Sequence, residues 1–236
     1  FPIVTSHDLN HFLSFVKFSK CDIQLHVFEK DISLHIPLCQ FCFDDIPVHE
    51  NAQIGHGGFG TVYQAHHSLA LKKFKNKDQL TQDEIGYHHP DLDIPFSCNH
   101  PNILNVYGFS LLGNDVFALM DLKDFSLEDI QVNMHGSLKE CHIISICKQI
   151  LDGLNYLHKM KIRHADMKLD NILCTETPNG LRVVLSDFGT SEQLLITQNV
   201  ANLKGTLPYC PPEFFVDCRG RSADIYCFGL MCWELY

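Results

Sequence analysis

Apolar residues recur along this chain with two different periods. From Leu138 to His158 they fall at Ile143, Ile146, Cys147, Ile150, Leu151, Leu154 and Leu157, the i, i+3, i+4 stripe of one long amphipathic helix. Earlier, Thr61-Val62-Tyr63-Gln64-Ala65 is β-prone, His66-His67-Ser68 turns, and Leu69 to Phe74 returns, which predicts a hairpin with side chains alternating between two faces. Val116 to Met120 reads as a further apolar strand, and Asp78 to Tyr87 as a helix. In residues 1–49, Asp8 to Phe18 predicts a short amphipathic helix. Asp22 to Phe28 and Ile32 to Ile36 alternate as a β-hairpin with Lys30-Asp31 in the turn.

The predicted hairpin carries chemistry. Ile54-Gly55-His56-Gly57-Gly58-Phe59-Gly60-Thr61-Val62 fits G-x-G-x-x-G-x-V, in which Gly55, Gly57 and Gly60 let backbone N–H groups approach nucleotide phosphates closely. Dinucleotide-binding sites share these three glycines but continue directly into a helix. Here a strand follows, so the hairpin reading wins. In the returning strand Ala70 and Lys72 share a face, while Lys73 points to the other as an ordinary solvated lysine.

The run His164-Ala165-Asp166-Met167-Lys168-Leu169-Asp170-Asn171 adds a base at Asp166, a cation at Lys168 to hold a transferring phosphoryl group, and a neutral carbonyl oxygen at Asn171. Asp187-Phe188-Gly189 then supplies a hard carboxylate oxygen of the kind Mg²⁺ prefers. In this order the four motifs resemble the protein kinase superfamily, from about Phe43 to the last residue. The resemblance implies an α+β, bilobal protein kinase fold, with a β-rich small lobe and hinge over residues 50–123 and a mainly helical large lobe over 124–236.

It also implies a set of roles. Lys72 contacts the α- and β-phosphates of ATP; Met120 is the gatekeeper; Asp121-Leu122-Lys123 is the hinge whose backbone binds adenine. Ile54 and the three glycines cover the nucleotide, and Val62, Ala70 and Leu173 sandwich the ring. Asn171 and Asp187 hold Mg²⁺. His100-Pro101-Asn102-Ile103 resembles the H-P-N-I that opens the fourth strand. Gly205 to Glu213 resembles G-T-x-x-Y-x-A-P-E, with proline for alanine. Asp224-Ile225-Tyr226-Cys227-Phe228-Gly229 resembles the start of the next buried helix, where Asp224 ties the catalytic loop to that helix. Lys168 and Thr206 point to serine/threonine specificity. The Gly205 to Glu213 segment, the short link between the second and third strands and Asp78-Gln79-Leu80 before Glu84 are similar to Cot-type MAP kinase kinase kinases.

Three departures shape further expectations. Ala165 stands where the family carries an arginine, so an activation-segment phosphate lacks its usual cation. Replacing Thr190, Ser191 and Thr197 together with alanine is therefore expected to leave most activity intact. For the acid that pairs with Lys72, Glu84 leads over Asp91 and Asp93, because Pro90 and Pro95 interrupt a helix containing the latter two. The chain begins at Phe1 and stops at Tyr236, where a full kinase continues, which predicts a fragment of a longer protein.

Composition narrows the rest. A chain of 236 residues with 45% hydrophobic content can bury a sizeable core. A net charge of −10 without a basic cluster argues against nucleic acid or an acidic membrane as partner. No apolar run approaches the roughly 18 residues of a membrane helix, and the 11 cysteines fit reduced thiols of a cytosolic or nuclear enzyme. Cys39 and Cys42 form one C-x-x-C without a second pair for zinc. The expected activity is transfer of the γ-phosphoryl group of MgATP to a protein serine or threonine, the alternative being a pseudokinase scaffold that binds nucleotide without transfer. Neither the substrate nor the oligomeric state follows from the sequence.

Overall fold

The computed structural model describes residues 39–40, 53–56, 60–66, 69–74, 81–82, 87–112, 115–134, 138–193, 207–212 and 220–236. Expectations for residues 1–38, Gly57, Glu84, Thr197, Thr206 and Glu213 lie outside them. The chain divides into two units, residues 1–92 with 105–122, and residues 93–104 with 123–236. Residues 93–104, counted above with the small lobe, thus cluster with the second unit.

The first unit is built on a sheet. Strands β1 (Cys39–Gln40), β2 (Gln53–His56), β3 (Gly60–His66), β4 (Leu69–Phe74), β7 (Val106–Leu112) and β8 (Asp115–Asp121) run in the order β1-β7-β8-β4-β3-β2. Only the β1–β7 pair is parallel. The expected hairpin is β3–β4, with Val62 opposite Lys72. Gly60 is required there for a steric reason: a Cβ on it would sit 2.1 Å from the Lys73 carbonyl oxygen. Ala70, Leu71, Phe74, Ala118 and Leu119 are buried, distributed over both faces of the sheet.

The Asp78 to Tyr87 region departs from expectation. Instead of a helix, β5 (Thr81–Gln82) and β6 (Tyr87–His88) pair antiparallel. The helix comes next, as α1 (Pro90–Ser97), and it contains Asp91. Pro90 occupies its first position, where the missing N–H has no intrahelical partner to lose and the fixed φ suits the helix. His89 caps it, its Nδ1 accepting from the Asp91 N–H at 3.2 Å. Pro95 falls within this helix of eight residues, which costs it at most one intrahelical N–H donor.

The second unit is mainly helical. Short β9 (Phe125–Ser126) leads into α2 (Leu127–Met134), and the long helix α3 (Glu140–Lys159) follows. Beyond β10 (Ile162–Arg163), a β-hairpin is made by β11 (Ile172–Thr177) and β12 (Gly180–Leu185), with β9 on its edge. β10 pairs with β13 (Glu192–Gln193), and α4 (Ser222–Leu235) ends the chain. The predicted stripe of α3 buries Ile143, Ile146, Ile150, Leu154 and Leu157 against a core shared with Leu127, Ile172, Leu185 and Met231. Leu151, also assigned to that stripe, is 40% exposed, because it stands about 100° round the helix from Ile150. Gly153 lets α3 approach β12, since a Cβ there would lie 3.1 Å from Leu185 Cδ1.

The helix carrying Asp224 is buried on one side only. Ala223, Asp224, Cys227, Met231 and Leu235 are buried, whereas Trp233 is 80% exposed. Among the described residues no helix is long and apolar enough to cross a membrane.

Candidate active site

Lys72, a site residue of the first unit, is placed by a charged partner. Its Nζ lies 2.8 Å from Asp91 Oδ2, with the side chains 11% and 4% exposed. Asp91, ranked behind Glu84 on the sequence, thus holds Lys72; Glu84 lies outside the described residues. Burial of both ends makes this pair costly to break. Asp91→Asn is expected to lower unfolding free energy by about 1.5–3 kcal/mol, the worth of a hydrogen bond to a charged group, measurable by urea denaturation. An unchanged midpoint would remove Asp91 from this role.

Around Lys72 the other named residues of this unit are ordered by the sheet. Ala70 is buried opposite Met120, itself buried. Val62 is half-buried opposite Gly55, and Ile54 is 50% exposed. Lys73 lies with its Nζ 5.8 Å from the Phe117 ring centroid, so it is not simply solvated. Asp121 ends β8 and Leu122 follows it, half-buried.

In the second unit the loop after β10 converges on Asp166. Lys168 Nζ stands 3.3 Å from Asp166 Oδ2. Asn171 Nδ2 donates to the Asp166 carbonyl at 2.7 Å and to Oδ2 at 3.1 Å. With its amide nitrogen committed to Asp166, Asn171 keeps its carbonyl oxygen for a cation. Asp187 enters the following 3₁₀ turn (Phe188–Thr190) in the left-handed region, φ 59°, a conformation that Asp tolerates better than most residues.

The loop is held from beneath. Asp224 accepts from the His164 and Ala165 N–H groups, both at 3.0 Å, and lies 2.8 Å from His158 Nε2. Burial alone would raise its pKa, but the His158 hydrogen bond, the nearby His164 and these two backbone donors outweigh that and hold it below 3.8. The expected tie from Asp224 to the loop is therefore present, and His158 joins it. Ala165 needs that grip, since its φ is 69°, a strained region for a residue with a Cβ. His164 in turn sets its Nε2 2.9 Å from the Ser186 carbonyl, with its ring 5.1 Å from that of Phe188. Ser186 Oγ donates to the Asn171 carbonyl at 3.0 Å.

Thr190 and Ser191 have a structural role that their sequence position did not reveal. Both are buried, and the Ser191 hydroxyl donates to the His164 carbonyl at 2.8 Å, with Thr190 Oγ1 at 3.4 Å. They brace the loop that carries Asp166 and are not surface hydroxyls. The expectation of a silent triple alanine variant changes accordingly. Ser191→Ala is expected to cost about 1 kcal/mol, while Ser191→Glu drives a carboxylate at a carbonyl and lowers activity well beyond that, as a transfer assay on the pair would register.

One electrostatic tension lies beside the loop. Glu128 is pushed up to about 7, chiefly by its hydrogen bond with Asp170, then by partial burial and by the surrounding acids. Leu173, half-buried on β11, sits opposite Val184 and Ser126. Asn102, from the H-P-N-I run, donates to the Val183 carbonyl at 2.8 Å. The supports His158, Ser186 and Ser191 gave no signal in the sequence, because each acts on a residue that is distant in the chain or through the backbone.

Among the described residues no cluster of three or more His, Cys, Asp and Glu is placed to hold a metal. The Asn171 amide oxygen and the Asp187 carboxylate are nevertheless donors of the hard kind that suits Mg²⁺, which usually takes one or two protein ligands and completes its shell with substrate phosphates and water.

Comparison with known proteins agrees with this geometry. The family model for the protein kinase domain matches residues 48–236. The chain is 32% identical over 190 residues to the serine/threonine-protein kinase pakH of Dictyostelium discoideum, covering 78% of this chain and 36% of that protein. It is 34% identical over 181 residues to mitogen-activated protein kinase kinase kinase 8 of Rattus norvegicus, covering 75% of this chain and 37% of that protein. The chain thus spans little more than a third of either relative. Among solved structures, a chain of the yeast RNA Pol II CTD kinase CTDK-1 complex superposes with a TM-score of 0.65 at 24% identity, covering 77% of this chain and 59% of that one.

Proposed function

Because the chain belongs to the protein kinase family, we propose that it is a serine/threonine protein kinase, transferring the γ-phosphoryl group of ATP to a hydroxyl of a protein substrate. The observation that carries this reading is the convergence on Asp166. A carboxylate, a lysine at 3.3 Å and an amide at 3.1 Å are assembled on a loop whose backbone is tied to Asp224.

Each residue has a part. In the first unit, Ile54, Gly55, Gly57 and Gly60 cover the phosphates, Lys72 contacts them, and the hinge at Met120, Asp121 and Leu122 receives adenine. Val62 and Ala70 supply apolar surface for the ring. In the second unit Asp166 orients and deprotonates the substrate hydroxyl, and Lys168 neutralises charge on the transferring group. Asn171 and Asp187 would hold Mg²⁺, which when bound screens the phosphate charge. A protein hydroxyl is the acceptor in this reading; the net charge of −10 supports neither nucleic acid nor an acidic membrane as partner, and a cytosolic or nuclear place of work is proposed with it.

A pseudokinase reading is favoured by one feature, Ala165 in place of the family arginine. Transfer of radiolabelled phosphate by the full-length protein separates the two. Lys72→Met is expected to lower the wild-type rate about 10²-fold, as for loss of one charge-stabilising group. Equal incorporation by wild type and variant would refute transfer by this site.

A further inference from the structure

The hinge residue Asp121 is gripped from a neighbouring strand more closely than pairing of β7 with β8 requires. Its N–H donates to the Asn105 carbonyl at 3.2 Å. Its Oδ2 accepts from Asn105 Nδ2 at 3.0 Å, and its Oδ1 accepts from the Tyr107 hydroxyl at 2.5 Å. Both carboxylate oxygens and the amide of one residue are thus engaged by two residues of the segment entering β7. All three residues belong to the first unit.

The backbone is arranged for this. Val106 faces Met120 and Gly108 faces Leu119, with a register shift between them, so Tyr107 is the extra residue of a β-bulge. A bulge releases one residue from the strict alternation of the ladder and re-aims its side chain. Here the re-aimed side chain reaches the end of β8. The Tyr107 phenol is half-buried, and burial together with the Asp121 charge raises its pKa, so it remains a donor at physiological pH.

What such a grip does at a hinge follows from the base to be read. Adenine presents an amino group and asks the hinge for a carbonyl acceptor; guanine presents an oxygen at the same place and asks for an N–H donor. Rotation of the peptide that follows Asp121 would exchange one for the other. Resting on the kinase reading above, we propose that Tyr107 and Asn105 are positioning residues which, by clamping Asp121, hold the hinge peptide with its carbonyl toward the base and so set the preference for ATP over GTP. Neither residue touches the nucleotide.

The test is nucleotide binding, which does not depend on turnover. Calorimetric titration of full-length wild type, Tyr107→Phe and Asn105→Ser with MgATP and with MgGTP gives a selectivity ratio for each. The clamp predicts that Tyr107→Phe weakens ATP binding about fivefold while GTP binding holds or improves, so the ratio falls at least fivefold. Asn105→Ser, which loses the Nδ2 donor but keeps the backbone carbonyl, is expected to move the ratio the same way, and it carries the test if Tyr107→Phe does not fold. In an Asp121→Ala background, Tyr107→Phe should have no further effect on the ratio. Parallel losses for ATP and GTP would mark both residues as merely structural and overturn the clamp, as would ratios within twofold of wild type. Those results leave the kinase reading standing, whereas a wild type that binds neither nucleotide overturns both.

Discussion

Asp166→Asn is expected to lower phosphoryl transfer about 10³-fold while leaving the fold and ATP binding almost intact. A positioned base contributes roughly 10²- to 10⁴-fold, and the amide of asparagine retains the shape of the side chain without its basicity. The surroundings predict which properties survive. Asn171 Nδ2 reaches both the Asp166 backbone carbonyl and Oδ2, and the first of these bonds is indifferent to the substitution. Lys168, 3.3 Å from Asp166 Oδ2, loses a charge partner but keeps its own charge and is partly solvated. Single-turnover measurement with saturating ATP isolates the effect: kcat should fall with little change in nucleotide affinity. A variant with more than a tenth of wild-type activity would remove Asp166 from the role of base.

Asp224→Ala is expected to be the most destabilising single substitution among the residues around the catalytic loop, at about 3–5 kcal/mol. The carboxylate satisfies two backbone N–H groups and His158, and it is 1% exposed, so water cannot take its place. Without it the left-handed Ala165 has no compensating bond, and Asp166, the next residue, loses its placement. Activity should therefore fall together with stability. The pH dependence has a definite sign. A carboxyl held below its ordinary 3.8 contributes stability that is present above that value and is lost as pH falls through the lower folded value. Chemical denaturation from pH 7 to pH 2 should thus show wild type and variant converging only at the acid end. A gap of less than 1 kcal/mol at pH 7 would contradict the brace.

Legibility from the sequence tracks locality. The long helix, the β3–β4 hairpin and the strand before the hinge were all readable, since period and turn residues act over a few positions. So was the Asp166, Lys168, Asn171 set, which lies within one short run, and the roles of these residues await the experiments above. The helix expected over Asp78 to Tyr87 gives way at Thr81–Gln82 and Tyr87 to paired strands, because helix-compatible residues say nothing about a strand partner a few residues on. Asp91 is more instructive: Pro90 reads as a helix breaker in the sequence, although at the first position it is a helix starter. A rule about proline needs the residue's position in the element, which only the fold supplies.

Other features had no sequence signal. Nothing in Tyr107 announces a bulge, because a register shift belongs to two strands at once. Ser191 resembles a modification site until its hydroxyl is seen under the His164 carbonyl.

From the order of residues alone came the glycine hairpin, the lysine strand, the catalytic run and the Asp187 triplet, and with them the kinase family, because each lies in a contiguous stretch whose geometry is set by neighbours along the chain. The acid that holds Lys72, the joining of His158 to Asp224 beneath the loop, and the grip of Tyr107 on Asp121 were decided by tertiary structure. These pairs are separated by 14 to 66 residues, and which partner meets which depends on how sheet and helices bring distant backbone together, a matter of packing that no local pattern encodes.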